Sequence, residues 1–206
     1  FADRALDIHE EELRHRVFST RQLPTAISSE DKLKTDARGS SVPPPSQERV
    51  DEYANLLRSL LAEARVSTKR ATASLPVSYI FHAVVTLPPV PEKELEHHVK
   101  AKVKKVLPRP IEEMQVVHQL IPAPKGMAHR SLEVLVTAAP NEIVQFYTDI
   151  FERAGLRLAE LETEAFALER SLVGRDKATV MIVDIGAERT NFFIIDQGLP
   201  VTHRSL

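Results

Sequence analysis

Apolar positions change their period several times along the chain, and each change marks an element. From Ser46 to about Ala64, Val50, Tyr53, Leu56, Leu57, Leu60 and Leu61 recur at helical spacing, and Ser46 with Glu48 and Arg49 reads as a helix start. Ala71 to Leu75 and Ser78 to Leu87 read as strands around Pro76, the second alternating Tyr79, Phe81, Ala83 and Val85 against Ile80, His82, Val84 and Thr86. Pro88-Pro89-Val90-Pro91 breaks that strand and opens a helix over Glu92 to Leu107, with Leu95, Val99, Val103, Val106 and Leu107 as its apolar stripe. Met114 to Ile121 and Leu132 to Ala138 follow as strands joined through a turn-like Pro122 to Gly126 region. Pro140 then starts a helix with Ile143, Val144, Tyr147, Ile150, Phe151 and Ala154 on its core face and Gly155 as its C-terminal cap. Leu156 to Leu161 is a short strand, and Thr163 to Val173 a helix capped by Gly174.

The order from Ser78 is strand, helix, strand, strand, then helix, strand, helix, then an antiparallel run, which predicts an α/β or α+β protein carrying a small inserted module. The first 27 residues are the least regular, with an edge strand expected within Leu13 to Gln22. Residues 28 to 46, rich in Ser, Lys, Asp and Gly and holding Val42-Pro43-Pro44-Pro45, have the composition of a linker.

Candidate chemistry concentrates in the last segment, where Val180 to Ile195 reads as two buried strands around a tight turn. Gly186 is expected to take a positive φ there, leaving backbone N–H groups facing outward. Such a turn can cradle a phosphate with the amides around Gly186 and the Thr190 hydroxyl, while Asp184 holds a hydrated Mg²⁺. The same residues also read as an ordinary buried hairpin.

Composition narrows the field. An apolar content of 43% in 206 residues supports a real core. No apolar run reaches the length of a bilayer span, and the absence of cysteine excludes disulfides and thiolate metal sites or nucleophiles. A net charge of -2 supplies no whole-protein reason to expect nucleic acid. On the Glu92 to Leu107 helix, Glu92, Glu94 and Glu96 come first and Lys100, Lys102, Lys104 and Lys105 last, the order that the helix dipole favours. His97 and His98, adjacent on that helix, point about 100° apart and suit joint chelation poorly. His82 reads as a packed histidine rather than a ligand, and no Walker loop, nucleophile elbow or His-Glu-x-x-His motif occurs. A start at Phe1 and a stop at Leu206, soon after a strand-like segment, predict a fragment of something longer.

Several phrases in order carry a resemblance: Ala73-Ser74-Leu75-Pro76, Leu87-Pro88, the Leu107-Pro108-Arg109-Pro110-Ile111-Glu112-Glu113 run, Leu135 to Pro140, Ala154-Gly155-Leu156, Glu164 to Leu168, and Val183-Asp184-Ile185-Gly186. The chain resembles the PilM family of actin-like proteins of type IV pilus assembly and, more distantly, the FtsA family of cell division. The resemblance implies an actin-like (ribonuclease H-like) lobe with an inserted strand-helix-strand-strand subdomain of the SHS2 type. It divides the chain into worn first-lobe strands and linker at 1–45, first-lobe helix and strand at 46–77, the inserted subdomain at 78–139, a helix-strand-helix return at 140–178, and the start of a second lobe at 179–206. Asp184, Gly186 and Thr190 map onto the family's second phosphate hairpin, with Asp184 reaching Mg²⁺ through water.

Departures from the family pattern shape the functional expectation. Ala5-Leu6-Asp7-Ile8-His9 only echoes the first phosphate hairpin, with His9 where Gly gives backbone freedom; Glu188 would repel a phosphate; and a Gly-rich adenosine motif would lie further on than Leu206. The chain alone is therefore expected neither to bind ATP tightly nor to hydrolyse it, with ATP and Mg left to a full-length relative. The resemblance implies a non-enzymatic cytoplasmic adaptor at the inner face of the cytoplasmic membrane, gripping the cytosolic tail of a PilN-like membrane protein and touching the membrane only indirectly. No nucleic acid is expected, and self-association stays open. Tyr79, Phe81, Val99 and Val103 are the candidate partner residues. The rivals are a type II secretion adaptor, an FtsA-like membrane tether, and an ASKHA-type kinase.

Overall fold

The structure is a computed structural model and describes residues 46–121, 131–187 and 189–206. The expected edge strand and linker of residues 1–45, the turn at Pro122 to Gly126 and Glu188 lie outside the described residues.

The first unit joins helix α1 (Gln47–Glu63) to strand β1 (Arg70–Leu75). Ser46 caps α1, its hydroxyl accepting from the Arg49 amide at 3.4 Å, so a free helix-end donor is satisfied. After an inserted unit the chain returns through helix α3 (Asn141–Arg153) to strand β5 (Arg157–Thr163), which lies parallel to β1 from Arg70↔Arg157 to Leu75↔Thr163. Leu75, Ile143, Val144, Leu158 and Leu161 form the core between α3 and this pair. Gly155, at φ +77, turns the end of α3 into β5. Asp51 and Arg153 pair across α1 and α3.

The inserted unit runs β2 (Phe81–Leu87), α2 (Glu92–Val103), β3 (Met114–Leu120) and β4 (Leu132–Pro140), with strand order β2-β4-β3, all antiparallel. Leu95, Val99 and Val103 of α2 pack on Val85, Leu87, Val134 and Val136. Alternate residues of β4 face the other way, where Leu135 meets Phe166 and Leu199 and Ala139 joins the first unit's core. With both faces covered, β4 reads as a continuous apolar run, unlike an alternating surface strand.

Thr163 caps the short helix α4 (Glu164–Leu168), which widens into a π-helical turn at Glu169–Val173 before Gly174. Strands β6 (Val180–Ile185), β7 (Thr190–Asp196) and β8 (Leu199–Ser205) then form an antiparallel meander. Phe193 and Ile195 pack against Val77 and Ala165, fastening the meander to the rest. The β7–β8 turn places Gln197 at φ +53 and Gly198 at φ +77, and Lys177 clasps it by donating to the Gln197 carbonyl at 3.0 Å.

The chain is thus a mixed α/β protein with one parallel and two antiparallel sheets. Three expectations need correction. The strand expected from Ser78 begins at Phe81, because Val77–Tyr79 form a 3-10 turn after Pro76, held by the Glu164 carboxylate accepting from the Val77 amide at 3.0 Å. Helix α2 stops at Val103, and the chain tightens through Val106 to Val103 bonding ahead of Pro108. The β6–β7 hairpin is buried on one face only: Met181, Val183 and Ile185 are 61%, 43% and 80% exposed, while Ile182 and Phe193 turn inward.

Candidate functional site

The β6–β7 turn brings Asp184, Gly186 and Thr190 together, with a different geometry from the one expected. Gly186 is absent from the positive-φ positions of the described chain. Glycine is favoured there by close approach, since a Cβ would stand 3.0 Å from the Arg189 carbonyl. The Gly186 amide donates to that carbonyl at 2.9 Å and the Thr190 amide to Leu206 at 3.0 Å, so both donors turn into the fold rather than outward. The Asp184 carboxylate accepts from Asn191 at 3.3 Å, and Asn191 in turn accepts from the Ser205 hydroxyl at 2.7 Å. Asp184 is therefore a structural partner of the β7–β8 register as well as a candidate metal contact. Among the described residues, no group of three or more His, Cys, Asp or Glu is arranged to hold a metal ion.

The four candidate partner residues separate. Val99 and Val103 are 1% and 0% exposed inside the inserted unit, where α2 needs them to cover its sheet, so they offer no surface to a partner. Phe81 is half-buried at the start of β2, paired in register with Ala138. Tyr79 lines an apolar groove of about 420 Å³ between α1 and α3, at the entry to the inserted unit.

That groove is drawn from three parts of the chain. Helix α1 supplies Arg49, Tyr53, Leu56 and Leu60, the β1–β2 connection supplies Pro76 and Tyr79, and α3 supplies Ile143, Phe146, Tyr147 and Ile150. All three tyrosines of the chain line it. Tyr53 meets Phe146 edge to face at 6.0 Å, and the Arg49 guanidinium lies 5.7 Å from the Tyr53 ring and 3.3 Å from its hydroxyl. Burial pushes the Tyr147 phenol up to about 12, helped by the neighbouring Tyr79. Burial also raises Tyr79, against the opposing pull of Arg189 and Arg49, which places Tyr79 electrostatically between groove and β6–β7 turn. Neutral phenols on an apolar floor, with a guanidinium beside them, can hold aliphatic side chains and still hydrogen-bond a backbone.

Sequence reasoning assigned Tyr53, Leu56, Leu60, Ile143, Tyr147 and Ile150 to helix stripes and offered Tyr79 as a partner residue. The α1 stripe is really two lines: Val50, Ala54, Leu57 and Leu61 turn inward, while Tyr53, Leu56 and Leu60 are 41%, 64% and 59% exposed. The lines lie on the order of 100° apart around the helix. The available signal was width, since an apolar arc that also holds a tyrosine is broader than one packing face requires.

No helix among the described residues is long and apolar enough to cross a membrane. Comparison with known proteins places the architecture. The profile of the family described as type IV pilus assembly protein PilM matches residues 39–206. Among solved structures, the chain is similar to one in a PilM-PilN type IV pilus biogenesis complex, with 24% identity, a TM-score of 0.67, and coverage of 82% of this chain and 51% of that one. It is also similar to the cytoplasmic domain of EpsL, an inner membrane component of the type II secretion system of Vibrio cholerae, at 10% identity and TM-score 0.52, covering 74% of this chain and 56% of that domain. The chain therefore spans about half the length of the solved chains it matches.

Proposed function

The chain belongs to the PilM family of type IV pilus assembly proteins, and from that premise we propose that it is a cytoplasmic adaptor whose α1–α3 groove receives the cytosolic tail of a PilN-like inner-membrane protein. The observation that carries this reading is the gathering of all three tyrosines, with Arg49, on one apolar groove at the entry to the inserted subdomain. Tyrosine and arginine are the residues on which binding energy concentrates, because each combines a large contact area with a polar tip. A short tail with aliphatic anchors would fill the floor between Leu56, Leu60 and Ile150, and its carbonyls or a carboxylate would meet Arg49 and the phenols. Anchoring through such a tail would hold the adaptor at the inner face of the membrane without a span of its own.

The same proposal assigns no catalytic step to the chain. The Gly186 and Thr190 amides are already engaged, and Glu188 adds negative charge to the turn, so tight binding of Mg-ATP is not expected of this chain alone. A type II secretion adaptor is the reading to which the EpsL likeness in fold would turn if the pilus partner failed.

Titration of a synthetic PilN-like tail peptide by calorimetry tests the proposal. Micromolar binding that falls at least tenfold in Leu56→Glu and Leu60→Glu is expected, and both positions are exposed enough to change without unfolding the helix. Unchanged affinity in both variants would move the partner surface elsewhere. Absence of binding to that tail, with binding to a type II secretion tail, would transfer the chain to the other system.

A further inference from the structure

Away from the groove, two histidines from distant parts of the chain meet ring to ring. His82 lies on β2, opposite Thr137 of β4, and His203 lies on β8, opposite Phe193 of β7. Their ring centroids are 5.7 Å apart with the planes tilted by 58°. Phe166 of α4 covers His82 at 6.3 Å, and Phe193 lies 6.5 Å from His203. The cluster forms part of the joint between the inserted subdomain and the C-terminal meander, next to the Leu135, Phe166 and Leu199 contact. The His82 Nε2 atom is buried and has no hydrogen-bond partner among the described residues.

Among the described residues, no carboxylate bears on it, the buried Glu169 of the π-helical turn lying instead beside Gly198. On the elements around this joint, Glu133 of β4 and Arg204 of β8 are exposed, Glu164 of α4 is turned to the Val77 amide, and Asp196 of β7 accepts from the Thr179 hydroxyl. Helix α2 packs on the opposite face of the inserted sheet, over Val85 and Leu87. Among the described residues, His203 is the titratable group that bears on His82.

We propose that this histidine pair makes the joint between the inserted subdomain and the C-terminal meander a proton-released latch, closed with His82 neutral and opened when His82 takes a proton. A proton on the buried Nε2 would be desolvated, unpartnered and set beside a second imidazole. Burial, followed by the proximity of His203, lowers the His82 imidazole to about 4 in the closed state. Opening admits water and returns it to the ordinary value of about 6.5. The open state then binds more protons between those two values, so closure is fully favoured above about pH 6.5 and weakens as pH falls toward 4. Between pH 7.5 and 5.5 the ratio of closed to open should fall about tenfold.

Amide hydrogen exchange in β2 and β8, corrected for the intrinsic pH dependence of exchange, reads the opening, and imidazole NMR titration reads His82 directly. The expected result is an opening fraction that rises about tenfold from pH 7.5 to 5.5 in the unmodified protein and stays flat in His82→Phe, which keeps a ring against Phe166. If His82→Phe does not fold, His82→Gln, polar but without a proton to gain, takes its place. Equal pH dependence in protein and variant, or no rise in the unmodified protein, overturns the proposal. So does an imidazole of His82 that titrates near 6.5 while exchange in β2 and β8 stays constant.

Discussion

Gly155 and Gly198 share a φ of +77, yet their surroundings differ. A Cβ at Gly155 meets nothing within 4 Å, whereas at Gly198 it would lie 2.8 Å from the Lys177 ammonium that clasps the β7–β8 turn. Gly155→Ala should therefore cost only the left-handed backbone penalty, about 1 kcal/mol, and Gly198→Ala should cost about 1 kcal/mol more as the clasp is displaced. Urea melts of the two variants check the order. Leu161, fully buried between β5 and α3, sets the upper scale: Leu161→Ala should lose about 2–5 kcal/mol. The Glu162 carboxylate, nearly buried, accepts both ends of the Arg170 guanidinium, so this fork is costly to break from one side. Residue type foretold the glycine caps at 155 and 174, since left-handed backbone favours glycine. It misjudged Gly186, where closeness of a carbonyl rather than φ favours glycine.

Helices α1 and α2 show how one periodicity serves two ends. Helix α2 spends Leu95, Val99 and Val103 on the inserted sheet, so Val99→Ala should destabilise the protein by about 2 kcal/mol while leaving the affinity of the folded protein for a tail peptide unchanged. Helix α1 divides its apolar residues, giving Val50 and Ala54 to the core and Leu56 and Leu60 to the groove. Leu56→Glu should accordingly weaken the peptide tenfold or more and shift the urea midpoint little, the reverse of Val99→Ala. Running both measurements on both variants separates packing from docking. Strand β6 is a further case: its apolar run reads as a buried strand, but which face meets Phe193 and Ile195 and which stays exposed depended on where the meander landed.

At the scale of the molecule, buried contacts hold the three sheets together. Val77 and Ala165 fix the meander, Leu135 and Leu199 join it to the inserted unit, and the His82–His203 pair lies at the same joint. Calorimetry with Mg-ATP is expected to give no stoichiometric micromolar binding to this chain, and such binding would require the β6–β7 turn to open its Gly186 and Thr190 amides. By itself the sequence determined the order of elements, their caps, the inserted strand-helix-strand-strand unit and the family, because these depend on local period, on glycine and proline positions, and on phrases contiguous in the chain. Only the tertiary structure decided that Val99 and Val103 are core, that Tyr53, Tyr79 and Tyr147 share a groove, and that His82 faces His203. Those facts join residues tens to more than a hundred positions apart, and periodicity says that a residue is apolar on one face without saying what that face will meet.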